Sequence, residues 1–250
     1  MTLSRVLLVT IQAIANGLVC TPPNPTPQKQ RYHTEQMYIL QIAPFIFKCH
    51  QIIAYCCAAF EILYYLSTTL APSLAPSLLK APLSPYAQST LTTLTCPLQR
   101  PGTTAPPYLS TTPTLCLGVL AVALGAYIRL DCYKTLGNLF TFDLTLDPHH
   151  RLITTRFYRY VRHPAYTGSM LLVAGLTLAH LTQGSWMTEC GPLARSRVSG
   201  VVVWATWWLW TFCCGISRAD AEDKQMRKVF REEWDTWAKE VPWWFLPGLV

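Results

Sequence analysis

Charged side chains are scarce in this chain. Asp, Glu, Lys and Arg make up 13% of its 250 residues, where soluble domains carry about 25%. Hydrophobic residues reach 51%, and they fall in long blocks, which excludes an ordinary soluble domain. No C-x-x-C pair occurs among the ten cysteines, and no Cys/His group has zinc spacing, so no metal site is expected. Cys56, Cys57, Cys116, Cys213 and Cys214 lie inside apolar runs, where free cysteine acts as a small apolar filler. The last four residues, Pro247 to Val250, contain no lipidation box. No nucleic-acid-binding motif is present either. The net charge of +7 is read as Lys and Arg gathered on the cytoplasmic side of a membrane.

What is there is a series of apolar blocks, and the expected fold class is all-α, a polytopic transmembrane helix bundle of about five spans with a cofactor pocket on its cytosolic side. Residues 1–66 hold two spans. The first, Leu3 to Val19, has the length of a signal peptide or a short span, and a retained helix is preferred. Thr21 to Gln30 is a proline-rich connector. Met37 to Leu66 is the second span, interrupted by Lys48, His50, Gln51 and Glu61, whose polar groups must face protein, a cavity or an interface. Residues 67–113 form a luminal loop rich in Pro, Ser and Thr, expected to be poorly ordered. Residues 114–250 form the third unit. In it Thr114 to Leu130 is a span with Gly118, Ala121 and Gly125 on a face that lets helices approach closely. Ser169 to Leu181 and Gly200 to Ile216 complete the five.

Most Lys and Arg lie in 131–168 and in the C-terminal tail, so the positive-inside rule puts both in the cytosol. Five spans then place the N-terminus in the lumen, together with the 67–113 and 183–199 loops; Arg195 and Arg197 run against the rule. Cys96 and Cys190 fall in those loops, where a bridge is allowed but nothing in the sequence calls for it.

Two stretches carry chemistry. Arg156 to Gly168 reads R-F-Y-R-Y-V-R-H-P-A-Y-T-G. Pro164 suits the first turn of a helix and pushes His163 out of helical geometry. A basic loop therefore feeds a helix whose free N–H groups face Arg156, Arg159, Arg162 and His163, an arrangement that binds anions. A positive-inside flank with interfacial Tyr158, Tyr160 and Tyr166 accounts for the same residues. The second stretch, Ser217 to Met226, places Arg218 and Glu222 four apart on one helix face. A solvated ion pair would also explain that spacing.

Together the two stretches resemble the membrane-embedded methyltransferases typified by isoprenylcysteine carboxyl methyltransferase. R-H-P-A-Y-T-G is similar to the family's R-H-P-x-Y-x-G signature. Cys132 to Asp143 and H-R-L-I-T (His150 to Thr154) resemble its lead-in, and E-D-x5-F-R-E-E-W its closing helix. The resemblance spans roughly residues 114 to 250. It implies an endoplasmic reticulum membrane enzyme facing the cytosol that uses S-adenosylmethionine to methyl-esterify the C-terminal carboxylate of a prenylated cysteine, on proteins or small prenylcysteine compounds. His150, Leu152, Ile153, Tyr158, His163, Pro164, Ala165, Tyr166 and Glu222 would line the cofactor pocket, and Arg218 would meet the substrate carboxylate. The residue types suit that task. A helix N-terminus beside His163 favours the cofactor carboxylate, Glu222 its ammonium, and tyrosine faces its sulfonium. An acceptor carboxylate is already a nucleophile, so Arg218 need only grip and align it.

The sequence departs from the family at three places. Arg156 and Phe157 stand where a small residue, often Gly, usually precedes the tyrosine, and bulk there is expected to crowd the cofactor loop. Asp143 replaces Gln or Glu, and Arg231 replaces a frequent Gly. Two other readings stay open: a phospholipid amine or another lipid-soluble acceptor, and a non-catalytic membrane paralogue.

Overall fold

The computed structural model describes residues 1–25, 41–70, 84–98, 107–145 and 150–249. Among them the chain is helical and forms no β-sheet. The helices are α1 (Leu3–Cys20), α2 (Ala43–Tyr65, continued by a π-helical turn Leu66–Leu70), α3 (Pro85–Thr95), α4 (Pro113–Leu136), α5 (Pro164–His180), α6 (Trp186–Glu189), α7 (Arg197–Phe230) and α8 (Glu232–Glu240). Short 3-10 turns at Gly137–Leu139 and Arg156–Arg159 join them.

Among the described residues, four helical stretches are long and apolar enough to cross a membrane: Leu3–Cys20, Ala43–Thr69, Pro113–Leu139 and Val198–Phe230. Sequence reading expected about five. The fourth expected span, Ser169 to Leu181, is α5, whose 17 residues rise only about 25 Å at 1.5 Å each, short of a ~30 Å hydrocarbon layer. Its length is fixed by Pro164 at one end and by the polar turn after His180 at the other. Part of the 67–113 loop, expected to be poorly ordered, is helical. Residues 85–95 form α3, because the Ser84 side chain accepts from the Ala87 N–H and Pro85 sits in the first turn. The remainder of that loop between 71–83 and 99–106, the connector from residue 26 and the start of the second expected span up to residue 40 lie outside the described residues.

The chain divides into two compact units. Unit 1 comprises Met1–Ala15, Gln51–Val122 and Ala174–Thr206; unit 2 comprises Asn16–His50, Ala123–Val173 and Trp207–Val250.

In unit 1 the charge that interrupts α2 finds a partner. Glu61 and Arg5 are both fully buried and form a two-pronged ion pair at 2.7 and 2.8 Å. The Trp186 backbone N–H donates to Glu61 at 3.1 Å. A buried charge is tolerated only when paired and hydrogen-bonded in this way. The Trp186 ring stacks on Phe60 at 4.5 Å, and its Nε1 donates to the Thr95 carbonyl. Cys96 and Cys190 form a disulfide beside it. Gly118 and Gly175 face each other so closely that a Cβ on either would stand 2.7 or 2.5 Å from the other's carbonyl.

Unit 2 has its own core of Ile128, Cys132, Phe140, Phe142, Tyr158, Trp234, Trp237 and Val241. Here α4 and α5 meet through Gly125 and Gly168, the small-residue contact that brings helices together in membranes. Arg129 of α4 donates to the Val19 carbonyl near the end of α1, and to the Ala165 carbonyl and Ser169 hydroxyl of α5. Its guanidinium lies over the rings of Phe47, Phe142 and Tyr133 at 4.7–5.5 Å, a favourable setting for a buried cation.

Candidate active site

Local sequence sets the framework of the site. Pro164 opens α5 and is almost fully buried, and His163 precedes it in the extended loop. Residues 162–167 are strapped to the C-terminal segment. The Arg162 and His163 N–H groups donate to the carbonyls of Trp243 and Trp244 at 2.9 Å, and the Thr167 hydroxyl donates to the Phe245 carbonyl at 2.7 Å. On the other side, α7 presents Arg218, Glu222 and Asp223.

These side chains form one continuous network. His163 Nδ1 lies 3.2 Å from Glu222 Oε2, and Nε2 lies 3.0 Å from Asp223 Oδ1. The Tyr166 hydroxyl donates to Glu222 Oε1 and accepts from Arg218 Nε at 3.2 Å. Arg218 Nη2 donates to the Phe142 carbonyl at 2.6 Å. Asp223 Oδ2 pairs with Arg162 Nη1 and accepts from Trp244 Nε1, both at 2.8 Å.

Burial works against the charged form of His163, but hydrogen bonds to Asp223 and Glu222 outweigh it and push its pKa up to about 9. His163 is therefore an imidazolium at neutral pH. Its raised pKa means that its contribution to stability is fully present below about pH 6.5 and is lost as pH rises through about 9. Thermal melts between those pH values are expected to show the wild type losing stability steadily, and the His163→Gln protein losing markedly less. Parallel curves would dissociate His163 from the effect.

The network borders a cavity of about 200 Å³. Nine of the ten residues named from sequence line it: His150, Leu152, Ile153, Tyr158, His163, Ala165, Tyr166, Arg218 and Glu222. Pro164 does not; its place in the first turn of α5 gives it a backbone role. Asp143 lines the cavity too and is buried. Several polar atoms of the lining have no partner among the described residues: Arg162 Nε, Trp234 Nε1, Trp237 Nε1 and Arg218 Nη1. Of these, Arg162 Nε sits in a guanidinium already paired with Asp223, and Arg218 Nη1 is the other charged donor. Glu222 keeps 29% of its side chain exposed with carboxylate lone pairs to spare.

Sequence reading assigned no site role to Asp223 or Trp244, and placed Arg162 only in the basic, anion-binding loop. The signal for Asp223 was its place beside Glu222, and for Arg162 its place inside the basic motif. Trp244 gave none, because only folding brings the tail onto the 162–167 loop.

Arg156 was expected to crowd the cofactor loop, and the structure corrects this. It adopts φ 61°, a left-handed backbone in which Gly is relaxed, and its mostly exposed side chain pairs with the buried Asp131 instead of lining the cavity. Arg231, the other substituted Gly position, has φ 49° and ψ −115°. These two are the positive-φ residues other than Gly among those described. Arg231 is exposed and its backbone bonds do not need its side chain. Arg231→Gly is therefore expected to stabilise the protein by about 1 kcal/mol through relief of strain, seen as a rise in Tm of about 3 °C. At Arg156 the same change would strand Asp131.

Among known families, the phospholipid methyltransferase family model matches residues 113–233. A probable protein-S-isoprenylcysteine O-methyltransferase of Oryza sativa subsp. indica is 31% identical over 127 residues, which is 50% of this chain and 57% of the relative. Protein-S-isoprenylcysteine O-methyltransferase B of Arabidopsis thaliana is 24% identical over 127 residues, 50% of this chain and 55% of the relative. Residues 113–233 are therefore similar to the core of membrane methyltransferases. The chain spans little more than half the length of these curated relatives. No solved structure matches. The stretch matched to the methyltransferase family starts at the first residue of α4 and ends in the first turn of α8, so it contains every polar member of the network except Trp244.

Proposed function

We propose that the chain transfers a methyl group from S-adenosylmethionine to the C-terminal carboxylate of a prenylated cysteine, at the cytosolic face of the endoplasmic reticulum membrane. The observation that carries this reading is the buried Arg218 Nη1, which has no partner among the described residues. A guanidinium with open N–H groups in a buried site is matched by a carboxylate.

The lining residues fit the cofactor. Glu222 would take its ammonium, and the aromatic faces of Tyr158 and Tyr166 suit its sulfonium. When bound, S-adenosylmethionine supplies an electrophilic methyl carbon on sulfur. Arg218 would hold the acceptor carboxylate in line, leaving its second oxygen free to react. Tyr166 bridges Arg218 and Glu222, so acceptor and cofactor groups are positioned by one rigid set of bonds. Trp234 and Trp237, which line the cavity, would limit water around the carboxylate and so strengthen its interaction with Arg218.

A phospholipid amine as acceptor is the second reading, favoured by the description of the matching family. An amine must lose a proton to react, whereas both ring nitrogens of His163 already face carboxylates and Glu222 is bonded by Tyr166 and His163. A carboxylate acceptor needs no base, which favours the first reading.

The test is to supply membranes containing the protein with labelled S-adenosylmethionine and a farnesylated cysteine analogue, and to count base-labile methyl ester. Ester formation is expected. Cofactor binding without ester would favour another acceptor, and absence of cofactor binding would favour a non-catalytic paralogue. Glu222→Gln is expected to weaken cofactor binding by about tenfold or more in equilibrium dialysis, the scale of one charged hydrogen bond.

A further inference from the structure

The outer side of unit 2 carries a second arrangement that methyl transfer does not use. Along α4, Leu124 and Tyr127 are 51% and 58% exposed, three residues apart on one helix face. One turn beyond Tyr127 the character of this face changes. Asp131 is buried and pairs with Arg156, whose side chain is 61% exposed, and Lys134, three residues further on, is exposed. Phe157 packs edge-on against Tyr127 at 5.9 Å, which fixes the 3-10 turn Arg156–Arg159 beside α4. Arg159, the last residue of the same short turn, is also exposed.

The result is an apolar stripe that ends at a tyrosine and passes directly into a band of three cations. The single acid in that band is already taken by Arg156, and Lys134 and Arg159 have no acidic partner among the described residues. An aromatic side chain followed by basic groups marks the level where acyl chains give way to headgroups. We infer that Lys134, Arg156 and Arg159 form a docking surface for the headgroup of an anionic glycerophospholipid, with its acyl chains along Leu124 and Tyr127. A lipid fits better than free phosphate because the apolar stripe is continuous with the cations. The inference stands independently of the proposed methyl transfer.

The test places the protein in nanodiscs of phosphatidylcholine with and without phosphatidylserine and counts retained lipids by native mass spectrometry. Wild type is expected to retain phosphatidylserine preferentially. Lys134→Gln with Arg159→Gln is expected to reduce that preference by about fivefold per residue; Arg156 is left in place because it neutralises Asp131. High salt is expected to weaken the wild-type preference, which gives a readout even if the double variant folds poorly. Equal retention of both lipids by wild type, a preference that survives the double substitution or high salt, or competition by inorganic phosphate as effective as the lipid would each overturn the proposal.

Discussion

Arg218→Ala is expected to lower kcat/KM for a prenylcysteine acceptor by about a hundredfold or more, while S-adenosylmethionine binding changes far less. Removing one partner of a buried charged hydrogen bond costs about 3 kcal/mol, which is roughly a hundredfold. The effect should be large here because Arg218 is 4% exposed and water cannot replace it. The same side chain donates to the Tyr166 hydroxyl and the Phe142 carbonyl, so alanine also loosens the groups that align the acceptor. Arg218→Lys keeps the charge but loses the planar fork, and an intermediate loss is expected. Steady-state kinetics with varied acceptor, beside equilibrium dialysis of labelled cofactor, separates the two roles. If Arg218→Ala abolished cofactor binding and Glu222→Gln spared it, the assignments would be reversed.

Gly125→Ala is expected to destabilise the protein by about 3 kcal/mol, at the upper end of single overpacking changes, and to remove activity with it. The added methyl would stand 2.6 Å from the Gly168 carbonyl oxygen, 3.0 Å from Leu171 Cβ and 3.1 Å from the Leu172 nitrogen. Two of these are backbone atoms of α5, which cannot rotate aside, so the helix itself must move. Its first turn carries Pro164 and Tyr166, with His163 just ahead, and a shift there would break the bonds to Glu222 and Asp223. Gly200→Ala is the control. Its nearest neighbour is Leu193 Cδ1 at 3.9 Å, and better helix propensity should make it neutral or slightly stabilising. A melt in which both substitutions behaved alike would contradict close α4–α5 packing. Expected Tm loss for Gly125→Ala is about 10 °C.

Much of the site was legible because its groups cluster in sequence. R-H-P-A-Y-T-G places two network members, His163 and Tyr166, within one turn of Pro164, and the helical period puts Arg218 and Glu222 on one face. Gly118 and Gly125 gave the α4 packing face for the same reason. The reading erred where local pattern and tertiary demand differ. Bulk at Arg156 looked obstructive because a sequence shows size but not direction, and a positive φ sends the side chain to Asp131. The 67–113 segment looked featureless because Pro, Ser and Thr dominate it, yet Ser84 and Pro85 start a helix. The Cys96–Cys190 pair could not be chosen from sequence, since 94 positions separate the two and only folding sets which thiols meet.

By itself the sequence determined the membrane setting, the helical class and most of the groups that line the cavity, because hydrophobic blocks and helical spacing are local properties of the chain. Tertiary structure decided which of those groups are satisfied and which stay open. Burial and distance depend on segments far apart in sequence. Only the packing of α7 against the start of α5 engages both ring nitrogens of His163 and leaves Arg218 Nη1 without a partner among the described residues.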